Sequence, residues 1–414
     1  MTEIAPASRF VGPHALETLA TMDLCTKCGI CQSHCPVVAA TPNFPGPKYA
    51  GPQAARFRII DEVLDHSTDL CTACGVCSSV CPNDVAITDI IVTARAQSVG
   101  QGEGVSLRQR LLNRPDLLGR IGSIAPTLAN LMLRNSVLRV VAEKVLGLDR
   151  RSPLPHFHGN AFRRWFARRS QPDGPPVHYF TGCAVDNYDP ETGKAVVRLL
   201  NALGFSVKIS EPGCCSLPML STGEWKQADE RAKRLTQKLA RDLPQNAVLV
   251  SSSTSCSLTL KSKYKTYLGL ESPESEHVSS AVNDICHFVR DQRLDEIARI
   301  AKPTSFRVLY HPPCQLRGHG IGTPALELLR QVPGLEIVLS KASCCGIGGT
   351  YGYDKNKFEV SQTVGLTLKE QSQEIKPDFI VCDSETCRWH IEEMTGVKTL
   401  HPISFLVDHV IHCA

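Results

Sequence analysis

Two short cysteine runs near the N-terminus constrain this chain more than any other feature. The first is Cys25-x2-Cys28-x2-Cys31-x3-Cys35-Pro36, the second Cys71-x2-Cys74-x2-Cys77-x3-Cys81-Pro82. The spacing C-x2-C-x2-C-x3-C-P holds paired [4Fe–4S] clusters, with the fourth cysteine of each run ligating the cluster of the other. Three thiolates two residues apart can wrap one face of a cube if the loop between them is tight. Gly29 and Gly75 stand between the second and third cysteines, where a small residue lets amides approach sulfur. The fourth cysteine is expected to start a helix that points away. The expected sets are therefore Cys25, Cys28 and Cys31 with Cys81, and Cys71, Cys74 and Cys77 with Cys35. Pro36 and Pro82 close the runs with no amide to satisfy. The competing reading is structural zinc on CxxC pairs, but a zinc site takes four ligands and does not need two tandem runs of one spacing.

The rest of the composition narrows the class. Nineteen cysteines in 414 residues would suggest disulfides in a small secreted chain. This chain is long, and its first twenty residues lack the apolar run of a signal peptide. The cysteines read instead as cluster ligands in a reducing cytoplasm. No run of 18 apolar residues predicts a membrane-spanning helix. The net charge of +4 gives no reason to expect nucleic acid as a partner.

Between the cysteine runs, Pro42, Pro45, Pro47 and Pro52 precede a helical stretch with Ile59, Ile60, Val63 and Leu64 on one face. A short helix is expected at about 14–22. Between Arg95 and Arg169 there are fourteen basic residues against four acids, Glu103, Asp116, Glu143 and Asp149. Pro115 and Pro126 divide this segment into two or three helices. From 128 to 145, Leu128, Leu131, Met132, Leu138, Val141, Ala142 and Val145 form a helical stripe, with Arg134 and Lys144 off it. The stripe reads either as a connector packed on the next domain or as a basic amphipathic face on an anionic membrane.

From residue 176 the pattern turns to alternating strands and helices and then repeats. Strands are expected at 178–181, 205–209 and 247–251, and again at 307–310, 335–339 and 379–381. Residues 270–305 read as a connection with a helix at 279–292. Cys183 maps on Cys314 and Cys256 on Cys387 at an offset of 131, and Cys214 and Cys215 map on Cys344 and Cys345 at 130. Four cysteines per repeat is the right number for one cluster. Each follows a strand end, where α/β sheets place their binding crevices. Buried structural cysteine and a dithiol redox pair are the competing readings. Gly318-x-Gly320-x-Gly322 lacks the dinucleotide spacing and reads as a turn and helix cap. Gly346-x-Gly348-Gly349 reads as a place where amides approach a cluster. His34, His311, His319 and His401 are assigned no ligand role, and Cys286, Cys382 and Cys413 are read as spare thiols.

Further stretches carry a resemblance: Asn43-Phe-Pro-Gly-Pro-Lys48, Gly51-Pro52, Phe162-Arg-Arg-Trp165, Cys344-Cys-Gly-Ile-Gly-Gly-Thr-Tyr-Gly352 and Glu385-Thr-Cys387. With the two runs and the two repeats, the chain resembles the CCG-type iron–sulfur subunits, which include glycolate oxidase and heterodisulfide reductase subunits. Within them it is most similar to the iron–sulfur electron-transfer subunits of anaerobic glycerol-3-phosphate dehydrogenases. The resemblance implies an α+β multidomain chain. A helical two-cluster ferredoxin domain (14–100) would lead through a basic helical connector (101–175) into two duplicated α/β cysteine-rich (CCG) domains (176–300 and 301–414). It implies two [4Fe–4S] clusters in the N-terminal domain and a further iron–sulfur cluster in each repeat, with no FAD of its own. It also implies flavoprotein dehydrogenase subunits as partners and the membrane quinone pool as acceptor. A place as a peripheral protein on the cytoplasmic side of the inner membrane follows. Release by high salt is expected, with Arg134, Arg139, Arg150 and Arg151 as contact residues. The alternatives are a glycolate- or lactate-type partner, or heterodisulfide-like thiol chemistry in the repeats. Three departures bear on the last: Cys215 is followed by Ser216 rather than glycine, and Ser253 and Ser384 stand where the family often has a first CxxC cysteine. Four thiols per repeat, not five, are then expected.

Overall fold

The computed structural model describes residues 13–61 and 66–411. The N-terminal part is helical. Helix α1 (Pro13–Ala20) leads into the first cysteine loop, and the second loop leads into α2 (Ile87–Ser98). The Ile-Ile-Val run of α2 is almost wholly buried because packing surrounds the helix rather than one stripe of it. The Gly51–Pro52 bend lies on this helix, and a Cβ on Gly51 would come 2.9 Å from the Ile87 side chain. The apolar face expected from Ile59, Ile60, Val63 and Leu64 falls on side chains outside those described.

Two parallel sheets follow, each of four strands. The first contains β1 (Pro176–Phe180), β2 (Ser206–Ile209), β3 (Leu249–Ser251) and β4 (Val282–Asp284) in the order β2-β1-β3-β4. The second contains β5 (Arg307–Tyr310), β6 (Glu336–Leu339), β7 (Phe379–Val381) and β8 (Thr399–Leu400) in the order β6-β5-β7-β8. The duplication read from the cysteines thus extends to strand order and register: Tyr179 pairs with Val250 as Tyr310 pairs with Val381. Parallel neighbours require helical crossovers, supplied among others by α7 (Pro190–Ala202) and α8 (Trp225–Asp242) in the first repeat and α9 (Phe358–Ile375) and α10 (Glu385–Thr395) in the second. One apolar core runs through both sheets, with Tyr179, Val196 and Val250 of the first repeat continuous with Tyr310, Leu328 and Phe405 of the second. The sequence reading missed β4 and β8. Residues 282–284, expected inside a helix, form a strand, and the helix begins at Ile285, where the Asp284 carboxylate caps it by accepting from the Cys286 and His287 amides.

Between the N-terminal part and the first sheet, ahead of a short helix at Ala161–Phe166, lie α3 (Leu107–Leu112), α4 (Pro115–Gly122), α5 (Pro126–Arg134) and α6 (Ser136–Leu146). The single stripe expected over 128–145 is broken at Asn135. This residue is extended (φ −69°, ψ 118°), and its side chain accepts from the Val137 and Leu138 amides at 3.0 and 3.1 Å, ending one helix and capping the next.

These helices are amphipathic in the reverse of the usual sense. Several of their polar side chains face protein. Asn113 is fully buried and donates to Thr222 and Glu224, Arg114 pairs with Glu224, Asp116 with Arg231, and Arg108 with Asp354. Many apolar side chains face outward: Val145 is 74% exposed, Val137 68%, Leu131 66%, and Ile124, in the turn between α4 and α5, 83%.

Candidate iron–sulfur sites

Both N-terminal loops coil the same way. Gly29 and Gly75 take left-handed φ values of 87° and 81°, with nothing within 4 Å of an added Cβ. Glycine is needed there for the turn itself, not for space. Two residues earlier, Lys27 and Ala73 are also left-handed, at φ 61° and 54°. Strain of that kind in non-glycine residues clusters at sites that use it. Here it turns three thiols to one side. The Ala73 amide donates to Cys71 Sγ at 3.4 Å.

The structure brings Cys31 together with Cys25, Cys81 and Cys28; burial first, then these neighbours, raises its thiol. Cys35 is pushed up to about 11 by burial and has Cys71 beside it. Cys77 is pushed up to about 12, by burial and then Cys71. The fourth cysteines are not alike. Cys35 opens the helix Pro36–Ala40, but Cys81 opens none: Pro82 and Asn83 form a turn, Asp84 is left-handed, and α2 starts only at Ile87. The helix expected after each run is present after the first alone.

In the repeats the eight matched thiols form two chains of sulfur contacts. In the first, the free thiol of Cys183 neighbours Cys214, Cys214 neighbours Cys215, and Cys256 hydrogen-bonds to Cys215 with sulfurs 3.3 Å apart. In the second, Cys314 neighbours Cys344, Cys344 neighbours Cys345, and Cys345 neighbours Cys387. The amide two residues on donates to sulfur in both, Ser216 N to Cys214 Sγ and Gly346 N to Cys344 Sγ, each at 3.4 Å. This repeats the Ala73–Cys71 contact, so one amide-to-sulfur device occurs at three of the sites.

The second chain is longer than expected. Cys382, read as a spare thiol, is wholly buried and neighbours Cys387. The count of four thiols per repeat therefore fails for the second, and with it the argument from a missing fifth thiol against more elaborate chemistry there. Cys286, also read as spare, lies against Asp383 between the two repeats. Cys413 lies outside the described residues.

Two histidines also border the second chain. His311 Nδ1 meets Ser340 Oγ at 3.1 Å, while its Nε2 and both ring nitrogens of His390 are buried without a partner. Burial lowers both imidazoles, and Cys387 and Cys344 oppose that. His390 carried no sequence signal, since its counterpart 131 residues earlier is Thr259. Gly320, by contrast, is the left-handed cap of the helix Cys314–His319, as its motif suggested.

The four thiol sets are neighbours. After burial, Cys344 is the largest influence on Cys74, and Cys74 in turn acts on Cys314. All eight matched cysteines of the repeats, with Cys71, line one cavity of about 1190 Å³. Four thiols drawn together in each repeat suit a polynuclear cluster. Thiols raised by burial resist ionisation alone but ionise when metal displaces their protons, and amides already aimed at sulfur stabilise the resulting charge.

Comparison with known proteins agrees. Residues 21–85 match the 4Fe-4S dicluster domain, and residues 177–261 and 308–392 both match the Cysteine-rich domain called CCG. The fold and the thiol sets thus define an iron–sulfur electron-transfer protein with a dicluster domain and two cysteine-rich domains. The chain is 34% identical to one of the subunits of anaerobic glycerol-3-phosphate dehydrogenase from Escherichia coli K12, over 93% of this chain and 97% of that one. It belongs to that family of iron–sulfur subunits. More distant relatives include a subunit of the fumarate reductase (CoM/CoB) of Methanothermobacter marburgensis, 32% identical over 54% of this chain and 43% of that one. Lactate utilization protein A of Geobacillus thermodenitrificans is 29% identical over 56% of this chain and 98% of that one.

Proposed function

We propose that this chain takes electrons from a flavoprotein that oxidises glycerol 3-phosphate and passes them to membrane quinone. Its four units would be 14–100, 101–175, 176–300 and 301–414. The N-terminal thiols would hold two [4Fe–4S] clusters and each repeat a further cluster. The clusters would supply one-electron carriers, and the chain's own residues hold, space and tune them. The observation that carries this reading is the adjacency of the sets, from Cys31 beside Cys81, through Cys35 beside Cys71, to Cys74 beside Cys344. Iron and sulfide analysis of anaerobically purified protein tests it. About four irons per site are expected, and Cys28→Ser should lower the count and alter the reduced-state EPR signal. An unchanged count and spectrum would remove the N-terminal assignment. A second reading, a partner that oxidises lactate or glycolate, is favoured by the lactate utilization relatives. Flavoprotein-linked assays with each substrate separate the two.

Among the described residues no helix is long and apolar enough to cross a membrane. The outward apolar side chains of α4 to α6 instead suit insertion into one leaflet on the cytoplasmic side. Of the expected contact residues, Arg134, Arg150 and Arg151 are exposed, Arg150 beside Glu143 and Arg151 beside Asp149 and Glu359, while Arg139 bonds to the Ser152 carbonyl. Arg110, Arg120 and Lys144 are exposed, and each is worth about 1 kcal/mol near an anionic leaflet. Apolar insertion then outweighs charge, so high salt alone should leave much of the protein on anionic liposomes. Ile124→Glu with Leu131→Glu should release it, and unchanged sedimentation of that double variant would place the contact elsewhere.

A further inference from the structure

The cavity beside the thiols has more wall than cysteine. Its far side is built from the reversed-amphipathic helices: Leu112 of α3, Leu118 of α4, Leu133 of α5 and Leu138 of α6 line it. Met132 and Leu138 belong to the lining and are also 51% and 41% exposed. The apolar outer surface therefore continues inward between α5 and α6. The cavity's 1190 Å³ includes the space at the nine thiols, so a further ligand would share it with the clusters and lie toward the leucine wall; small organic ligands occupy pockets of roughly 300–1,000 Å³.

We propose that this cavity is the binding chamber of the quinone, with the ring inside and the isoprenoid tail leaving between α5 and α6. The proposal rests on the reading above that the acceptor is a quinone. Three observations place the ring. The Tyr351 hydroxyl is buried without a hydrogen-bond partner, on a lining residue that is 8% exposed. An unpartnered buried hydroxyl is costly unless something completes it. Cys71 and Cys344 are its neighbours, so the hydroxyl lies beside the thiol sets. A quinone carbonyl is an acceptor only and can take that bond. Thr72 Oγ1, on the same lining, is also buried without a partner and offers a second hydroxyl, whereas Gln109 bonds to Asn113 and Thr350, and Arg108 to Asp354 and Gly147. Lastly, Trp389 and Tyr188 line the wall with ring centroids 6.1 Å apart, an aromatic surface for a flat ring. Two electrons from the thiol-held clusters, reduced by the flavoprotein, and two protons from water convert the bound quinone to the quinol.

The test is fluorescence-quench titration of the cluster-loaded protein in detergent with a fluorescent alkyl-hydroxyquinoline N-oxide, a quinone analogue. Saturable binding is expected. Tyr351→Phe should weaken it about five- to tenfold, the loss of one neutral hydrogen bond. Leu133→Arg, which puts charge in the tail path, should abolish it. Iron content and the reduced-state EPR spectrum report whether each variant is folded, and Tyr351→Phe removes only one oxygen should Leu133→Arg fail. Binding by the parent with unchanged affinity in Tyr351→Phe and in a folded Leu133→Arg would overturn the chamber and leave the quinone reading standing. No binding and no quinone reduction by the parent would overturn both.

Discussion

The first repeat has Ser251 at the end of β3, and the second has Cys382 at the matching place after β7, 131 residues on. The same offset sets Phe180 against His311 and Thr259 against His390. One frame thus surrounds four thiols with a phenyl ring and hydroxyls, and surrounds five thiols with two imidazoles. The consequence appears in the sulfurs. Cys387 lies well below the ordinary thiol range because both Cys345 and Cys382 donate to it, and Cys344 is likewise low because Cys314 and Cys345 donate to it. Their counterparts move the other way. Cys256 donates to Cys215 Sγ at 3.3 Å, and burial raises it; Cys214 lies between Cys183 and Cys215, and its contact with Cys215 and burial raise it. The second repeat thus gathers five thiols where the first gathers four, and it is the one beside Cys74.

The strongest way to break this comparison is to remove one central thiol from each repeat. Cys345→Ala and Cys215→Ala should each stop electron flow to quinone while leaving the N-terminal clusters assembled. Their intermediates should differ. With Cys345 lost, electrons should halt in the N-terminal clusters; with Cys215 lost, the second repeat should still be reduced. Freeze-quench EPR during flavoprotein turnover reads this, and identical spectra from the two variants would make the repeats equivalent. Full quinone-linked activity in both would reduce these cysteines to packing.

A subtler change tests whether the fifth thiol matters. Cys382→Ser gives the second repeat the residue of the first. The iron count should hold, while the EPR signal and midpoint potential of the second repeat should shift, since hydrogen bonds to sulfur help set cluster potentials. Ser251→Cys is the reciprocal change. If neither variant moves its signal, the difference between the repeats is not electronic.

Much of this was legible in advance, for physical reasons. Cysteines at fixed offsets mark strand ends because a parallel sheet gathers its loops at one edge, and the buried runs Val177–Phe180 and Val308–Tyr310 read as strands because both faces are covered. What failed was short or unmatched. β4 and β8 have three and two residues, too few for a period to register, and unlike the equally short β3 and β7 neither leads to a cysteine of the repeat. Cys382 was set aside by the repeat argument itself, because Ser251 is no cysteine. The break at Asn135 did leave a signal, an Asn at a helix start, but the apolar stripe ran across it. The reversed faces of α3 to α6 have the same 3.6-residue period as ordinary ones. Only their neighbours, Glu224, Arg231 and Asp354 from far along the chain, decide which side is in.

The smallest expected effect concerns the residue after each vicinal pair, Ser216 in the first repeat and Gly346 in the second. Both are left-handed, at φ 58° and 100°. A left-handed L-residue costs about 1–2 kcal/mol that glycine does not, so the sequence raises the question why serine is kept. Space gives one answer. A Cβ on Gly346 would stand 2.1 Å from the Ser361 carbonyl oxygen of α9. The first repeat holds Ser216 fully buried with its hydroxyl 3.5 Å from the Cys214 carbonyl oxygen, so that backbone has room for a side chain. Exchange should therefore be asymmetric. Gly346→Ser must move α9 or the Cys344 loop and should destabilise strongly, with loss of the second-repeat cluster. Ser216→Gly removes the left-handed strain but frees the unfolded backbone, which costs about 0.5–1 kcal/mol, and gives up a hydrogen bond at the limit of length. The net should be neutral to stabilising by about 1 kcal/mol, read as a small rise in thermal midpoint at unchanged iron content. A fall of several degrees would mean that the serine side chain supports the Cys214–Cys215 turn. The two repeats would then hold their vicinal pairs by different means.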